Sequence, residues 1–233
     1  MLAATLRFAP RRAGAFRRTV STLASNPHIR VFDNPSSPAS YILTYLDTQP
    51  PSLKLAIGTT THVPPTPQSF QENHHFVEIL NEVVGEYGHL DGDVESQARA
   101  FASPGGFNLG SGGSFFPQHR PGRGTSRKQG GGGGAGGSGA GGASAQGGAG
   151  GGGRGGWVHL SDRRNPPDFG RIAWPEDILG SVEVDQTGTV VGKVQPSGTY
   201  RIVTNEGILG LSPFLTEKLV ARLKQEESKE RAS

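Results

Sequence analysis

The sequence predicts an α+β protein in which an N-terminal hairpin with a helix and a C-terminal antiparallel meander with a helix are separated by a long disordered glycine-rich segment. Three observations carry this. Runs of β-branched and aromatic residues with period-2 character recur on both sides of the segment, each half contains a helix-period apolar stripe, and residues 130–156 hold 18 glycines in 27 positions. A tract so poor in packing side chains gains nothing by ordering, because glycine loses the most backbone freedom and buries no surface. The expected organisation is an address at 1–25, a half-domain at 26–102, a Gly/Ser-rich segment at 103–156 and a second half at 157–233.

In the first half, His28 to Phe32 alternates weakly and reads as a short strand before the Asn34–Pro38 turn. Tyr41 to Leu46 and Leu53 to Ile57 read as two strands forming a hairpin across Pro50-Pro51. Gly58 to Pro67 reads as an extended loop, because three prolines restrict it. Ser69 with Glu72 three residues on has the pattern of a capping box, and Phe76, Ile79, Leu80, Val83, Val84 and Tyr87 then define one face of a helix ending near Gly88. The expected role of that helix is to cover the hairpin. Asp91 to Phe101 predicts a shorter helix, and Phe107, Leu109, Phe115 and Phe116 interrupt the glycine and serine that follow.

In the second half, Trp157 to Leu160 resumes an ordered pattern, and Pro175 followed by Glu176 and Asp177 predicts a brief helical turn with carboxylates at its positive end. Ser181–Val184, Thr189–Val194 and Tyr200–Thr204 read as strands, with turns at Asp185–Gly188, Gln195–Gly198 and Asn205–Gly207. Ser212-Pro213 supplies a cap and a first-turn proline for a last helix, whose buried face is Leu215, Leu219, Val220 and Leu223 and which fades over Glu226 to Arg231. The two halves hold about 75 residues each, near the lower size at which a domain folds alone. That favours packing on each other or on a partner.

The first thirty residues contain six arginines, no acid, several hydroxyls and interleaved apolar residues. This is the pattern of a mitochondrial transit peptide, with matrix as the expected destination and processing between about Arg18 and Asn26. A basic nucleic-acid arm is the competing reading. Without the five arginines before Ser21 the formal charge moves from +3 to −2, so the basic character belongs to the address. Absence of cysteine removes disulfides, thiolate metal sites and cysteine nucleophiles, and no apolar run approaches the length of a membrane-spanning helix.

Chemistry-bearing residues concentrate in the loop holding His159, Asp162, Arg164, Asp168 and Arg171. Carboxylates beside arginines can bind a polar or phosphorylated ligand, and a histidine can move a proton. The competing reading is a rigid ion-paired turn held by Pro166-Pro167 and the two tryptophans, and it is preferred because mixed-sign loops are common. Arg120, Arg123, Arg127, Lys128 and Arg154 are the candidate RNA contacts, although one Arg-Gly-Gly unit falls short of a repeated motif. His74 and His75 are adjacent and so point about 100° apart on a helix, which argues against a metal site. No phosphate-loop, nucleophile-elbow or dinucleotide motif stands in its required context, so no cofactor is implied. The sequence therefore points to a non-catalytic mitochondrial accessory, assembly or peripheral-subunit protein acting through protein contacts. An RNA-associated factor of mitochondrial gene expression is the alternative, and an enzyme or ligand-binding domain centred on residues 159–171 is the third.

Overall fold

Pairing of extended backbone starts at Ser21, where β1 (Ser21–Thr22) lies antiparallel to β2 (Arg30–Asp33). The computed structural model describes residues 21–102, 155–168 and 171–232. Leu23, two residues beyond the first paired position, is 2% exposed, so the fold takes in part of the 1–25 interval that the arginine pattern marks as an address. The meander continues through β3 (Tyr41–Thr44), β4 (Gly58–Thr60) and β5 (Phe70–Glu72), giving a five-stranded sheet in chain order.

The partner of β3 is Gly58–Thr60, with Leu43 opposite Gly58 and Tyr41 opposite Thr60. Leu53 to Ile57, expected as that strand, instead forms bends with Leu55, Ala56 and Ile57 buried. Asn73 is the physical reason. Its side-chain amide donates to the carbonyls of Leu53, Lys54 and Ala56 at 3.2, 2.8 and 2.7 Å, satisfying backbone groups that a strand would pair in a ladder. The same side chain accepts from the His75 amide at 3.1 Å and so caps α1 (His74–Tyr87). The helix thus starts after Asn73, while Ser69 is held in a turn with Thr66 and Phe70–Glu72 is strand. Phe76, Ile79, Leu80, Val83 and Val84 are buried, as the periodicity requires. The main packing of α1 is against the second half, although Phe76 also stacks on Tyr45.

A short 3₁₀ turn at Gly88–Leu90 leads to α2 (Gly92–Ala102). The second half opens with β6 (Gly156–Ser161), which pairs with β7 (Ile178–Val184), itself paired with β8 (Val190–Pro196). Gly156 has no Cβ because the Phe101 ring of α2 occupies the space one would fill. Tyr200–Thr204 was expected as a third meander strand. Only Val203–Thr204 (β9) is strand, and it pairs with Gly207–Ile208 (β10) in a separate ribbon whose Gly207 has φ +131°. The carbonyls of Arg201 and Ile202 are taken by the Arg164 side chain at 2.8 and 3.0 Å, which removes them from any ladder with β8.

The last helix, α3, runs from Pro213 to Ala232 without fading at Glu226. Its final turns carry pairs from Glu226 to Arg222 and Lys229 at 3.3 and 2.9 Å, and from Glu227 to Arg231 at 3.5 Å. Pairs at this spacing each contribute a few tenths of a kcal/mol to a helix. No helix among the described residues is long and apolar enough to cross a membrane.

One cluster of buried side chains draws on both halves, from Ile29, Leu43, Ile57, Phe76 and Leu80 to Leu160, Val182, Val194, Leu215, Leu219 and Leu223. Polar contacts cross the same boundary. Arg163 forks onto Asp93 with two bonds of 2.8 Å, Arg222 reaches Glu82 at 2.9 Å, and the Asn26 amide donates to the Leu209 carbonyl at 3.0 Å. A shared cap starts two helices. Asp91 Oδ1 accepts from the Asp93 amide at 2.9 Å, while its Oδ2 accepts from Ser212 Oγ, which in turn accepts from the Leu215 amide at 3.1 Å. Each cap typically contributes about 1 kcal/mol, and both of these are buried.

Apolar burial of this extent across the boundary outweighs the exposed ion pairs, which are individually worth little. Cutting a site-specific protease sequence placed within residues 103–154 is therefore expected to leave the two fragments, one carrying residues 21–102 and the other residues 155–232, in one peak on size exclusion. Separation of the fragments under native conditions would show that the shared core does not hold them.

Candidate functional site

The chain enters the candidate loop from β6, and its first polar side chain, His159, is half-buried on the face of the sheet opposite Val158 and Leu160. Its Nδ1 lies 2.7 Å from Ser181 Oγ on the neighbouring strand, and burial pushes the imidazole below its ordinary pKa. It stands uncharged at neutral pH as half of a cross-strand pair.

Asp162 and Arg164 turn inward instead. Their side chains are 0% and 3% exposed. Asp162 accepts from Tyr200 Oη at 2.6 Å, the Gly210 amide at 2.9 Å and the Arg164 amide at 2.8 Å. Burial raises its pKa, against the opposing pull of the Arg164 charge and these donors. Arg164 directs Nε onto Asp177 Oδ1 at 2.7 Å, Nη1 onto the carbonyls of Arg201 and Ile202, and Nη2 onto the Glu176 carbonyl at 2.9 Å. The guanidinium also lies 5.4 Å from the centroid of the Tyr200 ring. The planar fork of arginine fits this task because it presents five donors in fixed directions. It ties the β6 exit, the Pro175–Asp177 turn and the segment before β9 into one buried knot.

Asp168 and Arg171, the remaining residues of the predicted set, are placed on the surface with side chains 89% and 78% exposed, their nearest approach being 4.0 Å. The five residues therefore do not converge. The structure brings together Asp162 and Arg164, with Asp177 and Tyr200 as partners that local sequence spacing did not single out. Asp177 reads in sequence as a carboxylate at the start of a turn, and Tyr200 lies 38 residues from Asp162. The five candidate RNA contacts, Arg120, Arg123, Arg127, Lys128 and Arg154, lie outside the described residues. His75 Nδ1 is 3.5 Å from Glu78 with both side chains half or more exposed, and no set of three metal-ligating side chains converges among the described residues.

On the outer side of the knot lies a cleft of about 760 Å³, lined by Glu72, Trp174, Pro175, Glu176, Gly198, Thr199, Tyr200 and Arg201. Trp174 is 69% exposed. Tyr200 belongs to both places, since it lines the cleft and donates its hydroxyl to buried Asp162. The cleft floor is fixed by the knot and by two further bonds, Thr199 Oγ1 to the Pro175 carbonyl at 2.8 Å and the Arg201 amide to the Glu176 carbonyl at 3.1 Å. The arrangement offers a rigid aromatic shelf with charged rims. No protein-family model, curated protein or solved structure matches this chain.

Proposed function

We propose that the chain is a non-catalytic accessory, assembly or peripheral-subunit protein of the mitochondrion, working in the matrix through protein–protein contacts. The single observation that supports this reading most is the division of labour around Arg164. The strongest charged groups of the loop are committed to internal partners, and what faces outward beside them is a tryptophan on a preorganised shelf. Tryptophan and arginine are the residues on which binding energy concentrates at protein interfaces. The arginine-rich start supports the mitochondrial address. Burial of Leu23 in the core favours processing before Ser21, because later cleavage removes a strand and threatens a core side chain.

Immunocapture of the endogenous protein from mitochondria, followed by native electrophoresis, is expected to recover it in a species larger than the monomer, with a mature N-terminus between about Arg18 and Ser21. A monomer without a recovered partner would refute the reading.

A further inference from the structure

We propose that the cleft between Glu72, Trp174, Glu176 and Arg201 takes an arginine side chain of the partner protein. This rests on the protein-contact reading and specifies the chemistry of the partner.

Scattered exposed apolar residues need no explanation, but the setting of Trp174 gives its exposure a use. It borders a concavity whose rims are charged. Glu72 ends β5 and Glu176 follows Trp174 by two residues, so the two carboxylates come from opposite halves of the fold. Neither Glu72, Glu176 nor Arg201 forms an ion pair among the described residues, although each is exposed at the same opening. Two carboxylates against one guanidinium leave the cleft with an excess negative charge.

An indole face attracts a cation through its quadrupole, and guanidinium adds planar stacking. The same group can fork onto a carboxylate with two parallel bonds. An incoming arginine therefore satisfies both features of the cleft, the shelf and the excess charge. A nucleic-acid strand would satisfy the shelf alone, since its phosphates meet two carboxylates for one arginine. Binding costs little reorganisation because Trp174 sits at the head of the Pro175–Asp177 turn, which Arg164 and Thr199 hold from behind.

The test uses the full chain carrying Trp157→Phe, which leaves Trp174 as the sole tryptophan reporter. The probe is a blocked twelve-residue peptide of glycine and serine bearing three arginines, beside the same peptide with neutral citrulline in their place and a uridine oligonucleotide. The arginine peptide is expected to change Trp174 fluorescence saturably and to weaken with salt, while the other two do not. Calorimetry with Glu72→Gln/Glu176→Gln, and with Trp174→Ala, is expected to show affinity reduced about tenfold in each, with the melting temperature unchanged. The proposal is overturned if the arginine peptide does not bind, binds these variants as it binds the parent, or is matched by the citrulline peptide or the oligonucleotide. Recovery of a partner from mitochondria with no arginine-peptide binding would remove this site and leave the protein-contact reading standing. Peptide binding through Trp174 without any recovered partner would do the reverse.

Discussion

Arg164→Ala is expected to lower the stability of the protein by about 3–5 kcal/mol, the cost of removing one member of a buried ion pair and leaving the other uncompensated. The substitution strands more than one group. Asp177 loses its donor at 2.7 Å, Asp162 loses a buried countercharge and the Arg201 carbonyl loses its side-chain donor, while the Glu176 and Ile202 carbonyls keep backbone amides but lose the tie to the loop. Arg164→Lys is expected to recover less than half of the loss, because an ammonium keeps the charge but cannot direct donors to four separated acceptors at once. Chemical denaturation of the three proteins at neutral pH checks this. Loss below about 1 kcal/mol for the alanine variant, the size of an ordinary surface pair, would mean that the knot does not organise the fold.

Stability is expected to fall steeply above pH 10, and two tyrosines are responsible. Burial pushes the hydroxyl of Tyr45 well above its ordinary value, helped by the nearby Asp162 charge, and the same two causes in the same order raise Tyr200. A tyrosine in the unfolded chain titrates at about pH 10. Below that pH both states hold the proton and these groups impose no pH dependence. Above it the unfolded chain releases protons that the native protein keeps, so stability falls by about 1.4 kcal/mol per pH unit for each tyrosine, or about 2.7 for both. Denaturation midpoints taken between pH 9 and 11.5, with tyrosinate absorbance followed in parallel, measure it. The expected record shows two of the four tyrosines ionising only as the protein unfolds, and Tyr45→Phe halving the slope. Native protein in which all four ionise near pH 10 would contradict the burial of these hydroxyls.

Much of the fold is legible in the sequence because local signals and tertiary packing agree there. The stripe from Phe76 to Val84, the Ser212-Pro213 start of the last helix and the one-turn helix at Pro175 all follow from periodicity and capping chemistry. The departures occur where a distant side chain captures backbone groups. Leu53 to Ile57 has strand composition, yet Asn73 holds three of its carbonyls, and the β-branched Thr59-Thr60 pair takes the place beside β3. Tyr200 to Ile202 likewise has strand composition, yet Arg164 holds two of its carbonyls. No window of sequence contains both partners of either interaction.

The candidate loop follows the same rule. That Asp162 and Arg164 belong together is readable from their closeness in the chain. Their burial is not, because it depends on Tyr200, Gly210 and Asp177 arriving from elsewhere. Nor does composition distinguish a tryptophan in a core from one on a shelf. In the sequence Trp174 is legible only as one of two tryptophans bracketing a proline-rich loop, whereas in the fold it stands 69% exposed at the start of the Pro175–Asp177 turn.

The Arg164 knot ties the fold together, the Trp174 shelf outside it is the proposed contact surface, and the two roles separate in one experiment. Trp174→Ala, expressed in place of the natural chain, is captured from mitochondria beside the parent protein and its melting temperature is compared. The expected result is an unchanged melting temperature, since the side chain is 69% exposed, with the variant migrating as a monomer where the parent migrates with its partner. Recovery of the same partner in the same amount by Trp174→Ala would contradict it.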